Sequence, residues 1–200
     1  TSVENGYNTE LDHIDKFVDG AAVQKVGDLT FEICKDNLDD YLTVDEGKIC
    51  DIILQMYNRD AIVLEPAGSL SVAALEQYKD NIKGKNVVCI LSGSNNDITR
   101  MEEIKERALL YNGLKHYFII NLPQRAGALK ELVNEVLAPS NDISYFQYIK
   151  KNNKETGPAV VGIELDKKED FNSLIDRLEN HNFDYQYLNT DSTLYSLIIG

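Results

Sequence analysis

Basic clusters are missing from this sequence. No run of five or more lysines and arginines occurs, and 20 Lys and Arg stand against 33 Asp and Glu, a formal charge of −13. Phosphate backbones and anionic lipid repel such a chain, which argues against nucleic acid and membrane surfaces as partners. The acidity itself reads most simply as solubility. No apolar run approaches the ~20 residues of a membrane-spanning helix. The first seven residues offer neither the basic nor the apolar region of a signal peptide. Cysteine is scarce: Cys34, Cys50 and Cys89 are odd in number and lack CxxC spacing. That excludes a disulfide scaffold and fits a reducing, cytoplasmic setting. His13, His116 and His181 are too scattered for ligand spacing, so no metal site is expected. Internal repeats and low-complexity tracts are absent too.

What is present is ordinary for a soluble globular protein: 43% hydrophobic and 26% charged residues in a chain of 200, enough for one large or two small domains. Up to about residue 114, helical and strand patterns alternate. Val23, Val26, Leu29 and Ile33 form a helical stripe. Residues 41–44 read as a short strand or lead-in. Thr43 and Glu46 have capping-box spacing ahead of a helix carrying Ile49, Ile52, Ile53 and Met56. Residues 61–64 and 86–91 are continuous apolar runs of buried-strand type, with Cys89 a small hydrophobe inside the second. The first run is followed by a helix with Leu70, Ala73, Ala74 and Tyr78 on one side, the second by an amphipathic stretch from Ile98 to Leu110. There, Thr99 and Glu102 again have capping-box spacing. Strands alternating with helices predict an α/β unit with a parallel sheet.

The pattern changes near Asn112-Gly113. Residues 116–122 alternate as a strand. Pro123-Gln124-Arg125-Ala126-Gly127 is a turn, and a helix follows with Leu129, Leu132, Val133, Val136 and Leu137. Strands are predicted at 143–150, 160–165 and 185–188, with a hairpin loop at 152–157, a helix at 169–180 and a further strand at 194–199. The order βαββαβ is the ferredoxin-like split unit. The tyrosines at 145, 148, 185, 187 and 195 fall in these strands; packing suits them better than base stacking on so acidic a chain.

Two turns could carry chemistry. Ser92-Gly93-Ser94-Asn95 ends an apolar strand and precedes a helix, where ligands of open α/β sheets gather; small polar residues are also what any strand-to-helix turn uses. Glu65-Pro66-Ala67-Gly68 ends the preceding strand, and Glu65 is either a helix N-terminal charge or a ligand contact.

Together, Glu65-Pro66-Ala67-Gly68-Ser69-Leu70-Ser71 and Val88-Cys89-Ile90-Leu91-Ser92-Gly93-Ser94-Asn95 resemble the "EPAGA" and "SGGN/SGAN" segments of the threonine deaminase (threonine ammonia-lyase) group of fold-type-II pyridoxal-phosphate enzymes. Ser69 and Ser94 depart from the commoner alanine and glycine. The stretch from Tyr117 to Leu129 resembles the start of that group's ACT-like regulatory domain, in its single-regulatory-domain form. The resemblance implies a partial pyridoxal-phosphate lobe at 1–114 and an ACT-like domain at 115–200. It implies pyridoxal 5'-phosphate as cofactor, with Ser92 bonded to its pyridine nitrogen and Glu65, Gly93 and Asn95 nearby. It further implies L-threonine as substrate, 2-oxobutanoate and ammonia as products, isoleucine and conceivably valine as effectors, and a homo-oligomer paired through ACT-like domains. Gln124, Arg125, Ala126, Gly127, Ala128 and Leu129 match the effector loop, whose backbone donors suit a carboxylate; the plain alternative is a strand-to-helix connection. The family's Schiff-base lysine lies in a Ser-Phe-Lys-x-Arg context that no lysine here has, and its glycine-rich phosphate loop is missing. The chain is therefore expected to begin inside the catalytic domain, to hold no catalytic residue of its own and to be inactive alone. A different class of function, a free-standing amino-acid-binding module, would need only residues 115–200.

Overall fold

The computed structural model describes residues 1–148 and 155–199, which fall into two compact units, Thr1–Ala108 and Leu109–Gly200. The first unit is helical: α1 (Ser2–Asn5), α2 (Asp28–Asn37), α3 (Glu46–Asp60) and α4 (Pro66–Ala73), with α5 (Met101–Tyr111) beginning in it. Its core gathers Phe17, Ile49, Cys50, Ile53, Leu64, Ala73, Ile104 and Ala108. The Arg107 guanidinium lies 4.3 Å from the Phe17 ring centroid and pairs with Glu46 at 2.6 Å, tying α3 to α5. Burial pushes the Cys50 thiol up to about 12, so it packs as an inert hydrophobe.

Several expectations fail here. Among the described residues no strand precedes Lys115, so the parallel sheet expected from 61–64 and 86–91 does not form. A strand of that apolar type is stable only with both faces covered, and Val88 is instead 90% exposed. The stripe from Val23 to Ile33 is not a buried face. The helix starts only at Asp28, Leu29 and Ile33 are exposed, and Phe31 is the residue it buries. Residues 41–44 are lead-in rather than strand. Aspartates, not threonines, cap the helices: Asp45 accepts from the Gly47 amide at 2.8 Å and Asp97 from the Thr99 amide at 2.9 Å. A carboxylate both accepts these bonds and complements the helix dipole.

The second unit follows its sequence pattern. β1 (Lys115–Pro123), β2 (Asp142–Tyr148), β3 (Thr156–Glu164) and β4 (Asp184–Tyr187) form one antiparallel sheet in the order β2-β3-β1-β4. α6 (Ala128–Glu131) runs on as a π-helical turn, Leu132–Val136. α7 (Asp170–Asn180) is the second packed helix. Leu132, Val136, Leu174 and Leu178 bury against Phe118, Ile120, Val161 and Ile163. This is the βαββαβ arrangement. The helix predicted through Leu129 and Val133 buries neither fully; both are exposed. The last expected strand is a helix, α8 (Ser192–Ile198), because Asp191 accepts from the Leu194 amide at 3.0 Å and starts it. Tyr195 is thus helical, its ring edge-on to Tyr117. Of the expected hairpin loop, residues 152–154 lie outside the described residues and Thr156 and Gly157 already belong to β3; the last two residues of the strand predicted at 143–150 also lie outside the described residues.

His116, buried in β1, meets the Tyr187 hydroxyl at 2.9 Å and the Gly113 carbonyl at 3.0 Å, and its ring stacks on Phe171 at 4.3 Å. Burial holds its imidazole below the ordinary value of 6.5, against the opposing pull of the Gly113 carbonyl. With the folded-state value depressed, the unfolded chain takes up the proton first. His116 therefore stabilises this unit fully above pH 6.5, and the contribution is lost as pH falls below it. Urea midpoints at pH 8 and pH 5.5 are expected to differ more for the wild-type chain than for His116→Gln; equal differences would remove His116 from the pH dependence.

Candidate functional site

The first site is a close approach of two turns within the first unit. The Glu65 amide donates to the Gly93 carbonyl at 3.2 Å, and the Glu65 carboxylate accepts from the Asn95 amide at 3.2 Å. The Asn96 side-chain amide adds a bond to the Leu64 carbonyl at 3.1 Å. Glycines make this approach possible. A Cβ on Gly68 would overlap the Gly93 carbonyl oxygen, and a Cβ on Gly93 would overlap the Glu65 carboxylate. Pro66 at the first turn of α4 and Ser69, whose hydroxyl bonds the Pro66 carbonyl at 2.9 Å, fix the other wall. Gly20 joins from elsewhere in the chain: its Cβ would press on the Ala67 methyl. Its isolated place in the sequence gave no signal of this.

Glu65, Gly93 and Asn95 are therefore brought together, and Ser92 is the adjoining residue with its side chain exposed to solvent. Glu65 precedes α4 but makes no side-chain capping bond there; its carboxylate is spent on the other turn. The residues present fit a pyridoxal ring at this point. The glycine contacts pack the two turns on each other, and the exposed Ser92 beside them carries a neutral hydroxyl of the kind a pyridine nitrogen accepts from.

The second site lies within the other unit. A hollow of about 280 Å³ is lined by Leu122, Pro123, Gln124, Arg125, Gly127, Ala128, Leu129, Lys130 and Tyr148. Ala126 belongs to the same loop without lining the hollow. Tyr148, from β2, is the wall that sequence reasoning missed; its alternation marked a strand but not which loop it would face. Gly127 takes φ +88°, the left-handed region, and nothing lies within 4 Å of where its Cβ would be. Its role is conformational rather than one of clearance. The Gln124 amide is engaged by the Glu155 carbonyl at 2.7 Å and the Ala128 amide by the Arg125 carbonyl at 3.4 Å. The Arg125, Ala126 and Gly127 amides are candidate donors, as are those of Leu129 and Lys130 in the first turn of α6. The Arg125 guanidinium pairs with Glu131, leaving the backbone as the more available carboxylate partner.

Family comparisons divide the chain in a similar way. Residues 1–93 match the family described as pyridoxal-phosphate dependent enzyme, and residues 106–198 match the C-terminal regulatory domain of threonine dehydratase. The chain is 57% identical over 198 residues to a biosynthetic L-threonine dehydratase of Halalkalibacterium halodurans, covering 99% of this chain and 48% of that protein. It is 58% identical over 194 residues to the Bacillus subtilis biosynthetic L-threonine dehydratase, covering 97% and 46%. Among solved structures, the processed form of threonine deaminase isoform 2 from Solanum lycopersicum aligns with TM-score 0.50 and 32% identity, over 54% of this chain and 32% of that one. The chain thus spans about half the length of the curated relatives it matches.

Proposed function

Because this chain belongs to the threonine dehydratase family, we propose that it supplies part of the cofactor site and the whole effector-sensing unit of an L-threonine ammonia-lyase. The reaction converts L-threonine to 2-oxobutanoate and ammonia, and isoleucine restrains it. One observation carries the reading: a single chain holds, in order, the glycine-cradled Glu65–Ser92 turn and the hollow over the Leu122–Lys130 loop.

When bound, pyridoxal phosphate supplies the electron sink. Ser92 would hold its ring nitrogen through a neutral hydrogen bond. Carrying no charge, the hydroxyl does not hold that nitrogen protonated as a carboxylate would. Glu65, fixed by the Asn95 amide, keeps the Ser92 turn in place.

In the sensing unit, a free amino acid's carboxylate would meet the Arg125–Gly127 amides, and a branched side chain would rest on Leu122, Leu129 and Tyr148. Isoleucine fits that apolar wall best, with valine a smaller second choice. Feedback needs only that the effector bind the low-activity state more tightly, by about 1–3 kcal/mol. Pairing of these units into a homo-oligomer and a cytoplasmic location complete the proposal.

Ser92→Ala, in a polypeptide that also contains the lysine anchoring the cofactor, is expected to weaken cofactor binding and lower kcat. Loss of a hydrogen bond that the bound ring would bury costs about 1–3 kcal/mol, roughly ten- to a hundredfold. Ser92→Asp is expected to keep the ring nitrogen protonated and change the product ratio. Wild-type rates and ratios in both variants would remove Ser92 from the ring.

A further inference from the structure

An effector amino acid would bring three groups to the hollow over the Leu122–Lys130 loop. The loop amides suit its carboxylate, and Leu122, Leu129 and Tyr148 suit its branched chain. Its ammonium still needs a partner. The ammonium is also what separates an amino acid from the 2-oxo acid of the same skeleton, which carries a like carboxylate and the same branched chain. Arg125 and Lys130, the charged side chains that line the hollow, are both cationic and repel an ammonium.

Glu131 supplies the opposite sign. It follows Lys130 in α6, its carboxylate meets the Arg125 guanidinium, and its amide donates to the Gly127 carbonyl at 2.9 Å. The pair thus spans the Gly127 turn, with Arg125 ahead of it and Glu131 at the end of α6. The Arg125 side chain is 58% exposed and that of Glu131 31%. An ion pair so open to water adds little to the fold, so it can part for a ligand that gives each member a new partner. A zwitterion does this and leaves no charge over. A 2-oxo acid does not: to reach Arg125 it must displace Glu131, which then stands unpaired beside a second anion.

We propose that the Arg125–Glu131 pair reads the zwitterion. The effector's ammonium binds the Glu131 carboxylate. Its own carboxylate, seated on the loop amides, receives the freed Arg125 guanidinium, whose planar fork suits it. The proposal rests on the effector reading of this hollow and adds a rule of admission: amino acids enter and 2-oxo acids are refused. The product of the proposed reaction, 2-oxobutanoate, is among those refused, so turnover does not fill the sensor with its own product.

The test is calorimetry on the 200-residue chain at neutral pH with two probes, isoleucine and its 2-oxo acid, 3-methyl-2-oxopentanoate. Wild type is expected to prefer isoleucine by about a hundredfold or more. Glu131→Gln keeps the shape and removes the charge. It is expected to weaken isoleucine about ten- to a hundredfold, the worth of a charge-assisted hydrogen bond, and to bind the 2-oxo acid better than wild type does. The two probes thus move in opposite directions, which a general loosening of the loop does not produce. Glu131→Asp retains the carboxylate and is expected to keep the preference for isoleucine. Melting of both variants should stay near wild type, because the pair is open to solvent. Isoleucine binding that survives Glu131→Gln unchanged overturns the proposal while leaving the effector reading in place. Equal weakening of both probes does the same, as does a wild type that binds the two alike. A wild type that binds neither probe brings down the effector reading itself, and the proposal with it.

Discussion

Given saturating pyridoxal phosphate and L-threonine, the 200-residue chain is expected to release 2-oxobutanoate no faster than the free cofactor does. A covalent anchor must be a lysine that can lose its proton near the ring. No lysine here has the family's Ser-Phe-Lys-x-Arg context. Among the described residues, two lysines are displaced, and both the wrong way. At Lys48 burial works against the charge, yet its bonds to Glu76 and Asp51 outweigh it and hold the ammonium more firmly. At Lys35 the bond to Glu32 does the same. A coupled assay for 2-oxobutanoate decides the matter. Turnover clearly above the cofactor background would mean that another residue does the anchoring and that the assignment of roles is wrong.

The second large effect is expected at Gly127. Valine there would have to adopt φ +88°, a region that costs an L-residue about 1–2 kcal/mol and a β-branched one more. Nothing lies within 4 Å of the added Cβ, so the strain comes from the backbone and not from a clash. It shifts the loop toward a backbone in which the Arg125–Gly127 amides no longer converge. Effector affinity is expected to fall by roughly tenfold or more. The core of the unit, led by Phe118, Leu132 and Leu174, stays intact, and melting is expected to drop only modestly. Gly127→Ala, strained but unbranched, should fall between. Valine and wild type binding alike would dissociate the loop's conformation from sensing.

The two units differ in how far their sequence disclosed them. From Lys115 onward, the apolar positions of β1, β3 and α7 close on one another within the same unit. The alternation of β1 sets Phe118, Ile120 and Leu122 on one face, and Leu174 and Leu178 meet them from α7. Local pattern and tertiary packing agree there, so the βαββαβ order was legible from periodicity. The exception, α8, turned on one capping aspartate that outweighed the strand-like apolar run it precedes. In the first unit the apolar runs at 61–64 and 86–91 read as strands because their composition suits a sheet, but no neighbour within the described residues pairs with them. The Glu65–Gly93 contact was only partly legible. The motif marked both turns, whereas the overlap at Gly68 and the part played by Gly20 come from close packing that spacing does not encode. At the second site the loop was plain in the sequence, while Tyr148 reached it only through the sheet register.

Sensing of a branched amino acid by the Leu122–Lys130 loop is what the proposed regulation depends on. It is tested most directly by titrating isoleucine, valine and threonine into the 200-residue chain by isothermal calorimetry, with Gly127→Val alongside. Saturable binding of isoleucine, weaker binding of valine, none of threonine and loss in the variant are the expected result. A chain that is folded by circular dichroism and binds none of the three would contradict the claim and recast the unit as an oligomerisation element.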